Sequence, residues 1–285
     1  MLSPMSDAAC PDARPAPVYE PQFRPGEALR EAFADFVAVV RQLRRDCPWD
    51  REQTHASTRH LTLEEAYEVA DAIDAEDWGA LEGELGDLLL HGLFHSRIAE
   101  EGGRFTLESV MRRETRKLIR RHPHVFGEEA AASVEDVKQT WEAVKRAERE
   151  AEAGPEAAPS ALDGVPEALP ALLRAERTQQ KAAGAGFDFA TRTASWEKVE
   201  EELREFRATE GASQEEREAE LGDVLFALTT YARREGLVAE NALRGTVARF
   251  ARRFHRIEHR LGDGATPERL ETLWEEATAE DLEER

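Results

Sequence analysis

Apolar residues recur at helical spacing along most of the chain. Residues 28–45 (ALREAFADFVAVVRQLRR) read as one amphipathic helix, broken by CPWD at 47–50. A second helix is expected over 61–75, with Leu63, Tyr67, Ala70 and Ile73 on one side, and a third over 78–101, stopped by Gly102 and Gly103. Helices at 106–121 and 133–151 follow, separated by HPHVFGE. The pattern restarts after 153–166, a stretch rich in Pro, Gly and Ala that reads as a linker, with helices at 168–183, 195–209, 213–236, 239–261 and 267–283. No segment alternates as a strand would. The expectation is an all-α protein of two tandem helical-bundle units, 27–152 and 167–285. Residues 1–26, rich in Pro and Ala and without periodicity, read as a flexible leader.

The restart is an internal repeat. LEEAYE (63–68) answers EEELRE (200–205), ELGDLL (84–89) answers ELGDVL (220–225), and KLIRRHP (117–123) answers RFARRFH (249–255). Trp141 answers Trp274, and PWD (48–50) answers GFD (186–188). The offset stays between 132 and 138 residues throughout.

Composition narrows the functional classes. Abundant Ala, Glu, Leu and Arg favour helix over strand. The net charge of −21 repels phosphate backbones, which argues against nucleic-acid binding, and requires divalent cations or a local basic patch for any triphosphate ligand. Cys10 and Cys47 form no metal-binding spacing, and Cys47 reads as a buried structural thiol; a reducing cytoplasm fits. No apolar run is long enough for a membrane span, and the N-terminus carries no signal pattern.

Within this frame the acids of the two ELGD helices stand out. Glu84 and Asp87 lie about 60° apart on a helix that is otherwise apolar nearly all round, which predicts burial. Glu220 and Asp223 repeat the arrangement. A buried carboxylate must be paired, protonated or bound to a cation. The preceding helix of each unit adds Glu64, Glu65 and Glu68, or Glu201, Glu202 and Glu205. Alone, such an EExxE facing away from the apolar stripe is a solvated surface. Two antiparallel helices bringing four or five carboxylates together instead suit Mg²⁺, with Mn²⁺ as an alternative.

Cations follow at matching positions: Lys117, Arg120 and Arg121 in the first unit, Arg249, Arg252 and Arg253 in the second. They are either surface salt bridges or phosphate contacts, and their recurrence favours the latter. His91 and His95 share a helix face with Asp87, but Ala227 and Tyr231 replace them in the second unit, so a packing or hydrogen-bonding role is expected rather than a metal site.

The stretches CPWDREQTH, LTLEEAYEVADAI, GELGDLLLHGLFH, RRHPHVFG, GVPEALPALLRA and ELGDVLFAL resemble the MazG family of nucleoside triphosphate pyrophosphohydrolases, in its two-repeat form, from about residue 30 onward. The resemblance implies an all-α homodimeric enzyme that hydrolyses NTPs or dNTPs to monophosphate and pyrophosphate with Mg²⁺, cleaning the nucleotide pool. By position it implies metal ligands Glu202, Glu205, Glu220 and Asp223, with Glu201 beside them as the residue that orients or deprotonates water. It implies nucleotide contacts from Lys198, Arg249, Arg253 and Trp274. The first unit's counterparts are Glu65, Glu68, Glu84 and Asp87, then Glu64, Lys117, Arg121 and Trp141. The C-terminal unit is the expected main catalyst: Leu61 stands where Lys198 does, so the first unit lacks that cation. Arg249 departs from the lysine frequent in the family. The alternative from another class is a non-catalytic acidic helical protein that binds metal or nucleotide in a regulatory role.

Overall fold

The computed structural model describes residues 25–127, 160–261 and 266–283, with scattered positions between 133 and 148. The regular structure among the described residues is all helical, without strands. The chain divides into two compact units, residues 1–149 and 150–285.

The first unit opens with α1 (Glu27–Asp46), which ends at Cys47. The expected break at CPWD is instead a short helix, α2 (Pro48–Glu52), because Pro48 at its first position needs no N–H partner and has φ preset for helix. Arg44, 7% exposed, fixes this corner. It donates to the carbonyls of Asp50 and Gln53 and to Glu101 Oε2 at 2.6 Å. Its guanidinium also lies 5.3 Å from the centre of the Phe94 ring. Cys47 is half-buried and free, so it is less enclosed than expected.

Helix α3 (His55–Asp74) starts six residues before its expected position. Its apolar pattern begins late, but Thr54 and Ser57 form a capping box that sets the true start. A tight turn follows, with Glu76 in the left-handed region at φ 53°. Asp77 then accepts from the amides of Gly79 and Ala80 to start α4 (Trp78–Glu101). This hairpin lays α4 antiparallel on α3. Val40, Leu93 and Phe94 form the core, with Phe36, Val37, Leu90, Ile98 and Leu107 around them. Helix α5 (Leu107–Arg121) and the turn α6 (Pro123–Phe126) complete the well-described part. The helix expected at 133–151 lies partly outside the described residues; those described between 136 and 148 are helical. The leader, apart from residues 25 and 26, and the first half of the linker also lie outside them.

The second unit repeats the plan with α7 (Ala171–Gly184), α8 (Arg192–Ala208), α9 (Gln214–Arg234), α10 (Ala239–Ile257) and α11 (Pro267–Glu283). Residues 258–260 continue α10 as one turn of 3₁₀ helix. The α8–α9 connection uses Gly211 at φ 92°, a conformation costly for other residues, and a capping box of Ser213 and Glu216. Ile257, Leu273 and Ala277 form the core between α10 and α11.

One expectation is corrected. The ELGD helices are apolar all round, yet within a single chain they are buried on one side only. Leu89 is 61% exposed, and Leu85, Leu225 and Phe226 are each nearly half exposed. The helix pairs are too small to wrap the full circumference.

Candidate functional site

In each unit the helical hairpin brings acids from both strands of the EExxE…ExxD pattern face to face. In the first, Glu65 of α3 meets Glu84 and Asp87 of α4, with one carboxylate oxygen from each lying within 4.8 Å of the other two. In the second, Glu202 of α8 meets Glu220 and Asp223 of α9 within the same limit. Glu68 adjoins the first triad, hydrogen-bonded to both Glu65 and Glu84. Glu205 adjoins the second, close enough to act on Glu220. Glu64 is exposed. The EExxE segments are therefore not simple solvated faces: Glu202 is only 7% exposed. The hairpin turns that residue inward against α9.

Crowding shows in the protonation of these groups. Burial, then the hydrogen bond that protonated Glu65 donates to Glu68, then the charges of Asp87, Glu68 and Glu84 push the Glu65 carboxyl up to about 7. Glu84 is raised by burial and by Glu68 and Asp87. Glu220 is raised by burial and by Glu205, Asp223 and Glu202, while Lys198 opposes the shift. Lys198 reaches Glu201 and Glu202 at 2.7 Å each. Those two hydrogen bonds hold the lysine's proton more tightly than usual and lower the Glu201 carboxyl. Hard oxygen donors, crowded to the point of mutual repulsion, fit a Mg²⁺- or Mn²⁺-sized cation, which removes the repulsion.

The expected nucleotide contacts are arranged differently. Arg252 and Arg253 both bind Asp281, at 2.7 and 3.2 Å. Asp281 is buried, and the two guanidiniums hold its carboxyl down to about 2. In the first unit Arg120 and Arg121 bind Glu148 at 2.5 and 2.6 Å. Lys117 pairs with Glu114. Trp274 packs on Phe250, ring centres 5.0 Å apart, at the edge of the α10–α11 core. Trp141 stands edge-on to His122 at 4.9 Å, with the Arg121 guanidinium 5.5 Å away. Arg249 donates to Thr246 Oγ1 at 2.8 Å and has no carboxylate partner among the described residues. The sequence carries a signal for these clamps: each unit has an acid seven residues after its tryptophan, at Glu148 and Asp281.

Comparison with known proteins matches these features to one family. The MazG nucleotide pyrophosphohydrolase domain matches residues 53–126, which span α3, the acid triad and α5. A nucleoside triphosphate pyrophosphohydrolase of Escherichia coli is 39% identical over 262 residues, covering 87% of this chain and 98% of that protein. The chain belongs to the MazG family. A Thermotoga maritima MazG protein, named nucleoside triphosphate pyrophosphohydrolase/pyrophosphatase, is 37% identical over 260 residues, 87% of this chain and 96% of that protein. A Mycobacterium tuberculosis nucleoside triphosphate pyrophosphohydrolase is 41% identical over 164 residues, 57% of this chain and 48% of that protein. Membership carries the all-α fold with it. No helix among the described residues is long and apolar enough to cross a membrane.

Proposed function

We propose that this MazG chain hydrolyses nucleoside triphosphates to the monophosphate and pyrophosphate, with Mg²⁺ held by the carboxylate triads. The observation that carries the reading is the same three-carboxylate geometry in both units, at equivalent positions of one repeat, in a chain that covers nearly the whole of named pyrophosphohydrolases.

Glu202, Glu220 and Asp223 would hold the cation in the second unit, with Glu205 at its rim; Glu65, Glu84, Asp87 and Glu68 would do so in the first. A bound divalent cation supplies Lewis-acid polarisation of the phosphate and a more acidic water. Lys198 is the mobile charge of the second site. In exchanging Glu201 and Glu202 for a substrate phosphate, it would offset the charge on departing pyrophosphate and free Glu201 to accept a proton. Arg249, without a carboxylate partner among the described residues, would add phosphate contact. Arg253 and Trp274 would keep their structural partners Asp281 and Phe250.

The C-terminal unit, which has Lys198 where the first has Leu61, is the main catalytic one in this reading, and the two units are MazG-like domains bounded at the 153–166 linker. The half-exposed leucines of both ELGD helices favour a homodimer that covers them. Asp223→Asn and Asp87→Asn test the assignment. Asp223→Asn should lower turnover on the order of 100-fold at unchanged helix content, and Asp87→Asn far less. The reverse ranking would move catalysis to the first unit. Turnover retained in the double variant would remove the triads from the reaction altogether.

A further inference from the structure

Glu202, buried, and Glu65, half-buried, occupy equivalent places in the two triads but have different neighbours. Glu202 is held by Lys198, one turn back on its own helix, at 2.7 Å. Glu65 has Leu61 at that position. Instead, His91 Nε2 on the facing helix stands 3.7 Å from Glu65 Oε1, and the second unit has Ala227 there. Each unit thus gives this glutamate one nitrogen-bearing neighbour beside the acids, and gives the alternative position an apolar residue.

His91 is 9% exposed, and a row of side chains between α3 and α4 fixes its ring. His91 Nδ1 meets Thr62 Oγ1 at 3.2 Å, Thr62 Oγ1 meets His95 Nε2 at 3.1 Å, and His95 Nδ1 meets His55 Nδ1 at 3.0 Å. With Glu65 ionised and the imidazoles neutral, the protons along this row have one placement, in which the single Thr62 hydroxyl proton goes to His91 Nδ1 at 3.2 Å rather than to the Thr58 carbonyl at 3.4 Å. His91 carries its proton on Nε2, towards Glu65, so its Nδ1 accepts from the Thr62 hydroxyl. Thr62 oxygen then accepts from His95 Nε2, and His95 Nδ1 accepts from His55. The second unit has nothing of the kind: Val199 and Ala227 replace Thr62 and His91.

We infer that His91 is the positioning residue for Glu65, aiming its carboxylate into the first triad as Lys198 aims Glu202 into the second. This rests on the reading of the triads as divalent-cation sites. At 3.7 Å the contact is longer than a hydrogen bond, and it orients the two groups electrostatically. A neutral imidazole does this without adding positive charge next to the cation, so the first site is built to keep its metal, whereas the second carries a lysine it can lend to phosphate.

The test uses the full chain with Glu202→Gln and Asp223→Asn, which leave one triad, and reads Mn²⁺ binding by the electron paramagnetic resonance signal of the free ion. This background should bind Mn²⁺. Adding His91→Ala should weaken binding about tenfold, the lower range for a residue behind a metal ligand. His91→Gln, whose amide can donate in the same place, should recover most of it. Circular dichroism should be alike in all three. Unchanged affinity in His91→Ala, or a loss that His91→Gln does not recover, overturns the inference. A background protein that binds no Mn²⁺ overturns the metal reading of the first triad itself.

Discussion

Replacing Glu65 with glutamine should stabilise the metal-free protein, and increasingly so as the pH rises. In the folded chain the Glu65 carboxyl is pushed up to about 7, from an ordinary value of 4.5. The folded state therefore binds a proton between those values that the unfolded chain has lost. The advantage of neutral Glu65 is fully present below 4.5 and disappears as the pH climbs through about 7. The shift, about 1.4 kcal/mol per pKa unit, sets an upper bound of roughly 3 kcal/mol. Exposed neighbours Glu68 and Asp87 are screened by water and salt, which leaves about 1–2 kcal/mol. For a unit of this size that is a change of about 3–6 °C in Tm. Burial lowers His91 and His95, so they act in the opposite sense, adding stability as the pH rises through their range. The quantity to follow is thus the difference between Glu65→Gln and the parent, by calorimetry in EDTA from pH 5 to 8. The difference should grow in favour of the variant across that range. Saturating Mg²⁺ should reverse its sign, because the parent alone gains full binding. A difference that stays flat with pH in EDTA would refute the account of crowding.

Other perturbations probe separate links. Asp281→Asn removes the acid that holds Arg252 and Arg253; since its carboxyl is lowered to about 2, its contribution is present above its ordinary 3.8 and lost as the pH falls through 2, so the variant should show a flatter acid-unfolding curve between pH 4 and 2. Leu273→Ala empties a fully buried site against Ile257 and Ala277, and urea unfolding should show a loss of about 2–5 kcal/mol for the second unit. Thr54→Ala breaks the capping box of α3 and should cost about 1 kcal/mol, with faster hydrogen exchange at the Ser57 amide.

Much of this was legible in the sequence because helical periodicity and repetition are both local in it. The 78–101 and 267–283 helices have the bounds that the apolar spacing and stop signals predict. The start of α3 was misplaced because its first turn, HASTRH, is polar: the Thr54 cap, not hydrophobicity, decides it. The triads could be anticipated because ExxD on one arm of a helical hairpin and EExxE on the other must meet when the connection is a short turn. Which glutamate turns inward is not legible from spacing alone, since Glu64 and Glu65 differ by 100° of helix rotation; the family resemblance points to Glu65, and the packing of α3 on α4 turns it towards Glu84 and Asp87. Likewise the Arg253–Asp281 pair joins residues 28 apart on different helices, so the arginine read as a phosphate contact until its partner was in view. Because the repeat drops His91, the sequence supports a packing or hydrogen-bonding role for it and no more; the Thr62 contact and the position beside Glu65 give that role its content.

The central claim is that these carboxylate triads serve cleavage of a triphosphate between its α and β phosphorus atoms. The most direct measurement is ³¹P NMR of the purified protein with Mg²⁺ and a mixed NTP and dNTP pool. The account predicts monophosphate and pyrophosphate in equal amounts, no orthophosphate, and no reaction in EDTA. Diphosphate with orthophosphate, or triphosphates left intact by folded protein with metal bound, would contradict it.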